Sequence, residues 1–207
     1  MKQPKVWLHP ADTVKVTEQR DEQDIQIYTD GSKGGHGVGA GIAIFIQNEL
    51  AHQSRYSLHN SCCNNQSEQL AIVKVLETIG KLHINDTIPR SATVHTYSRI
   101  RLQSLQNTNN HNYITQEIRK LAITLGKSNL TLKFTWVKAH VGIYGNELAD
   151  KLAKEATRKG EFSFISIPKL EIIQQLREQN IAMWRNKWDR TTKGQATKKF
   201  FQSSRID

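Results

Sequence analysis

The order of hydrophobic and polar positions predicts three strands near the start of the chain. Residues 25–29 alternate at strand period, residues 38–46 are small or β-branched as in a buried strand, and residues 50–58 alternate more weakly. Asp30–Ser32 has the composition of a turn after the first of these strands. Because short turns containing glycine or asparagine join the three segments, they predict an antiparallel meander.

Helical and strand periods then follow one another along the chain. Residues 64–80 repeat at helical period with one apolar face, and Gly80 marks a helix end. The later elements are a strand at 93–97, a short helix at 98–105, a helix at 113–125, a strand at 130–137 and a helix at 146–159. This order predicts an α/β protein with a mixed sheet, because the later strands need crossover connections. Helices are expected on both faces of that sheet.

These elements lie between two segments of different character. Residues 1–23 are mixed polar and predict an N-terminal arm, whereas residues 24–159 contain all the elements of the predicted domain. From residue 160 the chain becomes basic and helical, so residues 160–207 are expected to form a C-terminal helical extension.

Composition and charge narrow the class of function. The 207 residues are 37% hydrophobic, enough for one domain with an appendage, and the net charge of +10 favours a polyanionic partner such as nucleic acid. The only cysteines, Cys62 and Cys63, are adjacent, which excludes a disulfide scaffold and a four-cysteine zinc site. Since no segment resembles a signal peptide or a membrane span, we expect an intracellular protein, in the nucleus or the cytoplasm.

Three carboxylates occupy positions that packing alone does not require. Asp30 ends the first strand, Glu68 lies near the start of the first long helix, and Asp150 lies on the last helix of the domain. If the first and fourth strands are neighbours, these three positions converge at one edge of the sheet. Converging carboxylates suit hard divalent cations, and two such ions can activate water and stabilise the leaving oxygen in phosphodiester hydrolysis.

Each carboxylate also has a structural interpretation. Asp30–Gly31 has the sequence of a hairpin turn, and Asn65–Glu68 has the spacing of a capping-box variant. Asp150 can pair with Lys154 at i, i+4 on an exposed helix face. Taken one at a time, the sequence favours these structural interpretations.

The segment from Trp136 to Asp150 favours chemistry instead. It runs from a strand end through a glycine-containing loop carrying His140, and Asn146 then starts a helix that presents Asp150. A histidine on a flexible loop can handle protons near a scissile phosphate. The alternatives are a surface histidine at His140 and an N-cap at Asn146.

Four motifs in register resemble type-1 ribonuclease H. They are Asp30-Gly31-Ser32, Asn64-Asn65-x-x-Glu68-x-x-Ala71, Thr96-x-Ser98, and His140 through Asp150. The amino-acid sequences of these motifs are most similar to those of the ribonuclease H domain in non-LTR retrotransposon polyproteins. The resemblance implies a five-stranded mixed sheet of order 3-2-1-4-5 and cleavage of the RNA strand in RNA–DNA hybrids.

The resemblance also implies roles for individual residues. Asp30, Glu68 and Asp150 would be ligands of two Mg²⁺ ions, which Mn²⁺ can replace, and His140 would assist product release or proton transfer. Contacts to the hybrid would fall to small and polar positions, namely Gly31, Ser32, Asn64, Asn65, Gln66, Ser98 and Asn146. For these seven, ordinary turn and cap chemistry is the alternative.

One position departs from the family pattern. The third acid of the family's site would stand immediately before Ser98, where this chain has Tyr97. A phenol is neutral at working pH and a poor Mg²⁺ ligand, so we expect impaired hydrolysis. The alternative is a catalytically disabled module that still binds hybrids or acts as a scaffold, with Tyr97 packing as a strand-end aromatic.

The C-terminal extension combines positive charge with aromatic residues. Residues 183–206 carry seven basic residues against one acidic residue, a net charge of +6, with Trp184 and Trp188 interleaved. This mixture suits phosphate contact and base stacking. However, the two tryptophans also lie on a helical stripe with Leu176 and Ile181, which favours docking on the domain or on other regions of a retrotransposon polyprotein.

Overall fold

The computed structural model describes residues 10–17, 25–81, 91–138, 142–163 and 169–191. The strands are β1 (Lys15–Val16), β2 (Ile25–Gly34), β3 (Gly37–Ile46), β4 (Glu49–Leu58), β5 (Ser91–Thr96), β6 (Thr131–Trp136) and β7 (Glu161–Phe162). The helices are a 3-10 turn at Pro10–Thr13, α1 (Asn64–Lys81), α2 (Arg99–Gln106), α3 (Tyr113–Lys127), α4 (Tyr144–Lys159) and α5 (Lys169–Arg190).

The strands form one mixed sheet in the order β1-β6-β5-β2-β3-β4-β7. Strands β2, β3 and β4 are the predicted antiparallel meander, and β5 and β6 add to it in parallel. The inner five strands therefore have the predicted order 3-2-1-4-5. The two-residue strands β1 and β7, which were not predicted, extend the sheet by pairing in parallel with β6 and β4.

Helices cover both faces of the sheet, and the two faces of β3 carry side chains of different size. Ala40 and Ile42 belong to the hydrophobic core that α1 and α3 complete, together with Ile118 and Phe134. The alternate residues Gly39 and Gly41 face α4 instead, so a Cβ at either position would collide with its backbone. The second helix layer thus approaches the sheet closely because β3 carries no side chains there.

Two predicted boundaries were wrong. Asp30–Ser32 is part of β2, which continues to Gly34, because these residues pair with β3 instead of turning. The last helix of the domain begins at Tyr144, so Asn146 lies inside its first turn and Ile143 is the N-cap. The local sequence resembled a turn and a cap, but strand pairing and helix packing extend both elements.

The chain divides into two compact units, Met1–Ser166 and Ile167–Asp207. The sheet and α1–α4 belong to the first unit, and α5 belongs to the second. The division predicted from sequence, with boundaries after residues 23 and 159, stays a prediction. Among the described helices, none combines the length and apolar character needed to cross a bilayer.

Candidate active site

Strand pairing and helix packing bring Asp30 and Asp150 together. Asp30 pairs with Gly41 in the β2–β3 register, so its side chain points to the face that α4 covers. The missing side chain at Gly41 lets the backbone of Ala149 approach the strand. Asp150 follows Ala149 on α4 and lies within hydrogen-bonding reach of the Asp30 carboxyl group.

The surroundings of Asp30 favour its protonated form. Burial, with added repulsion from Asp150 and Glu68, raises the pKa of Asp30 from 3.8 to about 7, although the Gly31 N–H lowers it. That N–H donates to Asp30 Oδ1 at 2.8 Å. Because the three acidic groups repel one another, a positive charge bound near them would stabilise their ionised forms.

Glu68 is placed by the close contact between α1 and β2. A Cβ at Gly31 would lie 2.5 Å from the Glu68 backbone nitrogen, so glycine at this position lets α1 approach β2 closely at Glu68. Asn64 Nδ2 donates to Glu68 Oε1 at 3.1 Å, and Arg101 Nε lies 3.8 Å from Glu68 Oε2. Burial raises the pKa of Glu68, while a hydrogen bond from Ser98 and the charge of Arg101 oppose that rise.

Asp150 has a cationic partner of its own. Lys154 Nζ donates to Asp150 Oδ2 at 2.7 Å, which is the i, i+4 pair that the sequence offered as an alternative. The Lys154 side chain is mostly exposed, so this ion pair is weak and easily displaced. Pairing with Lys154 therefore does not prevent Asp150 from acting as a metal ligand.

Tyr97 occupies the strand end beside Asp30. Thr29 and Thr96 are paired in the parallel β2–β5 register, and Asp30 and Tyr97 are the residues that follow them. Burial raises the pKa of Tyr97 above its ordinary value of 10, and the charges of Asp30, Asp150 and Glu147 add to the rise. The phenol is therefore neutral, and it stands among groups that carry negative charge.

Comparison with known proteins identifies the family to which this site belongs. The model of the RNase H family matches residues 22–158, which is more than half of the chain. The chain belongs to the RNase H family. By family, this RNase H domain is a ribonuclease H enzyme, and the family activity is hydrolysis of the RNA strand in RNA–DNA hybrids.

The chain is also similar to individual proteins and to one solved structure. The chain is 29% identical to ribonuclease H of Trichodesmium erythraeum (strain IMS101) over 150 residues, covering 70% of this chain and 94% of that protein. It is 29% identical over 143 residues to ribonuclease H of Campylobacter jejuni (strain RM1221), covering 65% and 92%. A solved structure, RNase H1 of Halobacterium salinarum NRC-1, is 19% identical with a TM-score of 0.49 and covers 64% of this chain and 96% of that one.

Members of this family use Mg²⁺, and the RNase H domain provides part of a fitting donor set. Asp30 and Asp150 come together, whereas the Glu68 carboxylate is engaged by Asn64, Ser98 and Arg101. Among the residues that the structure describes, no group of three or more His, Cys, Asp or Glu side chains is arranged to hold a metal ion. Of the three predicted ligands, Asp30 and Asp150 are therefore the pair placed to share a cation.

The predicted hybrid-contacting residues fall into two groups. Gln66 is buried and accepts a hydrogen bond from the Cys63 backbone N–H at 3.0 Å, as the third residue of a capping box does. Its side chain caps α1, as the alternative interpretation proposed. Ser32, Asn64 and Ser98 are partly exposed, and Asn65 is exposed. Of these, Asn64 and Ser98 hydrogen-bond to the Glu68 carboxylate.

Asn146 differs from these residues because it is almost fully buried. Within the described part of the chain, its Nδ2 has no hydrogen-bond partner. A buried amide without an acceptor costs folding free energy. Its role in hybrid binding stays a prediction. His140 lies outside the described residues, so its predicted role stays a prediction.

Sequence reasoning missed two arginines. The pairing of Arg101 with Glu68 could not be predicted from local sequence, since the two residues lie on different helices. Arg119 is buried in α3 and donates to the backbone oxygens of Ser104, Leu105, Asn107 and Asn110. It fixes the connection between α2 and α3. Its place on an otherwise apolar helix face was the available signal.

Proposed function

We propose that this RNase H domain binds RNA–DNA hybrids and hydrolyses their RNA strand by two-metal-ion catalysis, at a rate impaired by Tyr97. One observation carries the proposal: a neutral phenol stands beside Asp30, in the parallel strand position next to it. The carboxylates that would hold Mg²⁺ are Asp30, Glu68 and Asp150. Mn²⁺ is the expected substitute ion.

The chain's own residues have separable tasks in this mechanism. Mg²⁺, when bound, supplies activation of water and stabilisation of the leaving oxygen. Asp30 and Asp150 provide negative charge at the edge of the sheet, and Asn146 would contribute a contact to the hybrid backbone. His140 would move a proton to or from the product phosphate.

Tyr97 weakens this arrangement in two ways. Its neutral oxygen is a poor partner for a hard cation, so one ligand charge is missing. Its ring is also larger than a carboxylate and would intrude on the catalytic centre. Both effects reduce the rate of hydrolysis without removing the surface that contacts the hybrid.

A second candidate function follows from the same position. If Tyr97 abolishes hydrolysis, the domain acts as a hybrid-binding or scaffold module. Arg101, whose side chain is only 14% exposed beside Glu68, favours this candidate because it brings positive charge to a predicted metal ligand. Binding would then rest on the polar positions along the groove and on the basic character of the chain.

The deciding experiment is cleavage of a labelled RNA–DNA hybrid in Mg²⁺ and in Mn²⁺ by the native protein, Tyr97→Asp and Tyr97→Asn. We expect Tyr97→Asp to cleave at least about tenfold faster than the native chain, equivalent to about 1.4 kcal/mol of transition-state stabilisation. Tyr97→Asn is the matched control, because it removes the ring without adding charge. Equal cleavage by all three would contradict the assignment of Tyr97, and no cleavage by any would favour the binding module.

We further propose that the domain derives from a non-LTR retrotransposon polyprotein and is intracellular. The amino-acid sequences of its motifs support this origin, although the relatives named above are bacterial enzymes. The C-terminal extension would then contact other regions of the polyprotein. Sequencing the genomic DNA around the coding segment tests the origin: a neighbouring reverse transcriptase frame is expected, and a bacterial operon would contradict it.

A further inference from the structure

Arg101 and Glu68 form an ion pair that is screened from solvent. Arg101 Nε lies 3.8 Å from Glu68 Oε2, and the two side chains are only 14% and 16% exposed. Both atoms are buried, and within the described residues neither has a hydrogen-bond partner. The two groups therefore compensate each other by charge, at a distance slightly longer than a hydrogen bond.

The other oxygen of Glu68 is occupied as well. Oε1 accepts from Asn64 at 3.1 Å, and Ser98 also donates to this carboxylate. Glu68 thus has three partners supplied by the chain. Asp30 and Asp150 differ, because the cation near them is the exposed Lys154, which water and salt can displace.

Burial makes the two cationic partners unequal competitors. A divalent cation that approaches Asp150 has only to move a solvated lysine. A divalent cation that approaches Glu68 has to share a poorly solvated carboxylate with a guanidinium, which repels it at short range. Arg101 is the third residue of α2, and its side chain is only 14% exposed, so the surrounding packing limits how far the guanidinium can move.

We propose that the Arg101 guanidinium takes over the charge-compensating place of a divalent cation at Glu68 and competes with that cation. The inference rests on the proposed function, and it adds a second cause of impairment beside Tyr97. The site then binds a divalent cation through Asp30 and Asp150, and its affinity for a cation at Glu68 is reduced.

The test is a double-mutant cycle on Mn²⁺ affinity, measured by calorimetry and by the electron paramagnetic resonance signal of free Mn²⁺. Arg101→Gln removes the competing charge and is expected to bind Mn²⁺ at least about fivefold more tightly than the native protein. In a Glu68→Gln background the same substitution is expected to change the affinity less than about twofold. This contrast separates an effect through Glu68 from a general effect on structure.

Arg99→Gln is the matched control, since Arg99 stands two residues earlier in the same helix. It removes the same charge from an exposed side chain whose Cζ lies 4.1 Å above the Trp136 ring. Equal gains for Arg99→Gln and Arg101→Gln would overturn the proposal in favour of a general field effect. No gain for Arg101→Gln, or a gain that persists without Glu68, would overturn it as well.

Folding of each variant is checked by thermal melting. If Arg101→Gln does not fold, Arg101→Met replaces it in the cycle, because methionine keeps most of the aliphatic length. The affinity cycle does not depend on cleavage. Failure of Tyr97→Asp to gain activity would count against the proposed function alone, whereas a flat affinity cycle would count against the role of Arg101 alone.

Discussion

Asp30, Glu68 and Tyr97 lie at one edge of the sheet, yet the fold compensates each of them differently. Asp30 faces two other carboxylates and is protonated more readily than usual, whereas Glu68 is held beside a guanidinium. Burial raises the pKa of Tyr97 and keeps the phenol neutral, and nearby negative charges add to that rise. The edge therefore has one carboxylate in need of a cation and one that already has a cationic partner.

The raised pKa of Asp30 makes stability depend on pH. Below its ordinary value of 3.8, Asp30 is protonated in both the folded and the unfolded chain and contributes no difference. Between about pH 4 and pH 7 the folded state binds more protons, so stability falls as pH rises, and the full cost is present above pH 7. A buried, uncompensated carboxylate thus destabilises the metal-free domain at neutral pH.

We predict that Asp30→Asn stabilises the metal-free protein at pH 8 by about 2–4 kcal/mol and has little effect at pH 4. Urea unfolding in EDTA at the two pH values measures this. Glu49→Gln, which removes one exposed negative charge from β4, is the control and should show no such difference. A gain for Asp30→Asn that is equal at both pH values would contradict the assigned pKa.

At the scale of elements, the site depends on how closely α4 approaches β3. Gly41 permits that approach, and the register places it opposite Asp30. A methyl group at this position would meet the backbone of Ala149 and Ala153, which cannot yield as a flexible side chain can. The distance between the two carboxylates is therefore set by a residue that has no chemistry of its own.

We predict that Gly41→Ala lowers the free energy of unfolding by about 1–3 kcal/mol and weakens Mn²⁺ binding, since overpacking displaces α4. Gly126→Ala is the matched control, because nothing lies within 4 Å of a Cβ there. Near the C-terminal end of α3, that change is expected to be neutral or stabilising by less than about 1 kcal/mol. Equal effects of the two substitutions on Mn²⁺ affinity would show that the contact at Gly41 does not position Asp150.

Sequence periodicity predicted the elements well because each amphipathic pattern is local. The meander, α1 and the crossover elements follow from alternation and helical spacing, and the strand order follows from the family resemblance. The turn predicted at Asp30–Ser32 from residue type was wrong, since pairing with β3 extends the strand through residues that favour turns. The contact between Arg101 and Glu68 was beyond a local pattern, because it joins two helices separated by a strand.

For the candidate site, sequence motifs predicted which carboxylates lie near the edge but not how each is compensated. The approach of Asp150 to Asp30 depends on Gly41, and the engagement of Glu68 depends on where α2 begins. Gln66 had the right residue type for contact with a hybrid, yet the helix uses it as a cap. Residue type is visible in a sequence, whereas competition between partners appears only in the packed structure.

At the scale of the whole molecule, the catalytic edge and α5 belong to different compact units. On α5, Trp184 stacks on Trp188 with ring centroids 5.3 Å apart, although Trp184 is 58% exposed. Leu176 and Ile181 are also more than half exposed. Mutual stacking shields part of the aromatic surface, so the rings are less available to stack on bases than two separate tryptophans would be.

We therefore predict that truncation after Ser166 lowers hybrid affinity less than about threefold, as expected if α5 serves protein contacts and the first unit carries the groove. Fluorescence anisotropy with a labelled hybrid in Ca²⁺ at several salt concentrations measures both the affinity and the number of ionic contacts. The truncated and full-length chains should then show similar salt slopes. A loss of more than about tenfold, with a shallower slope, would instead assign the basic residues of the C-terminal extension to phosphate contact, because each released counterion contributes to that slope.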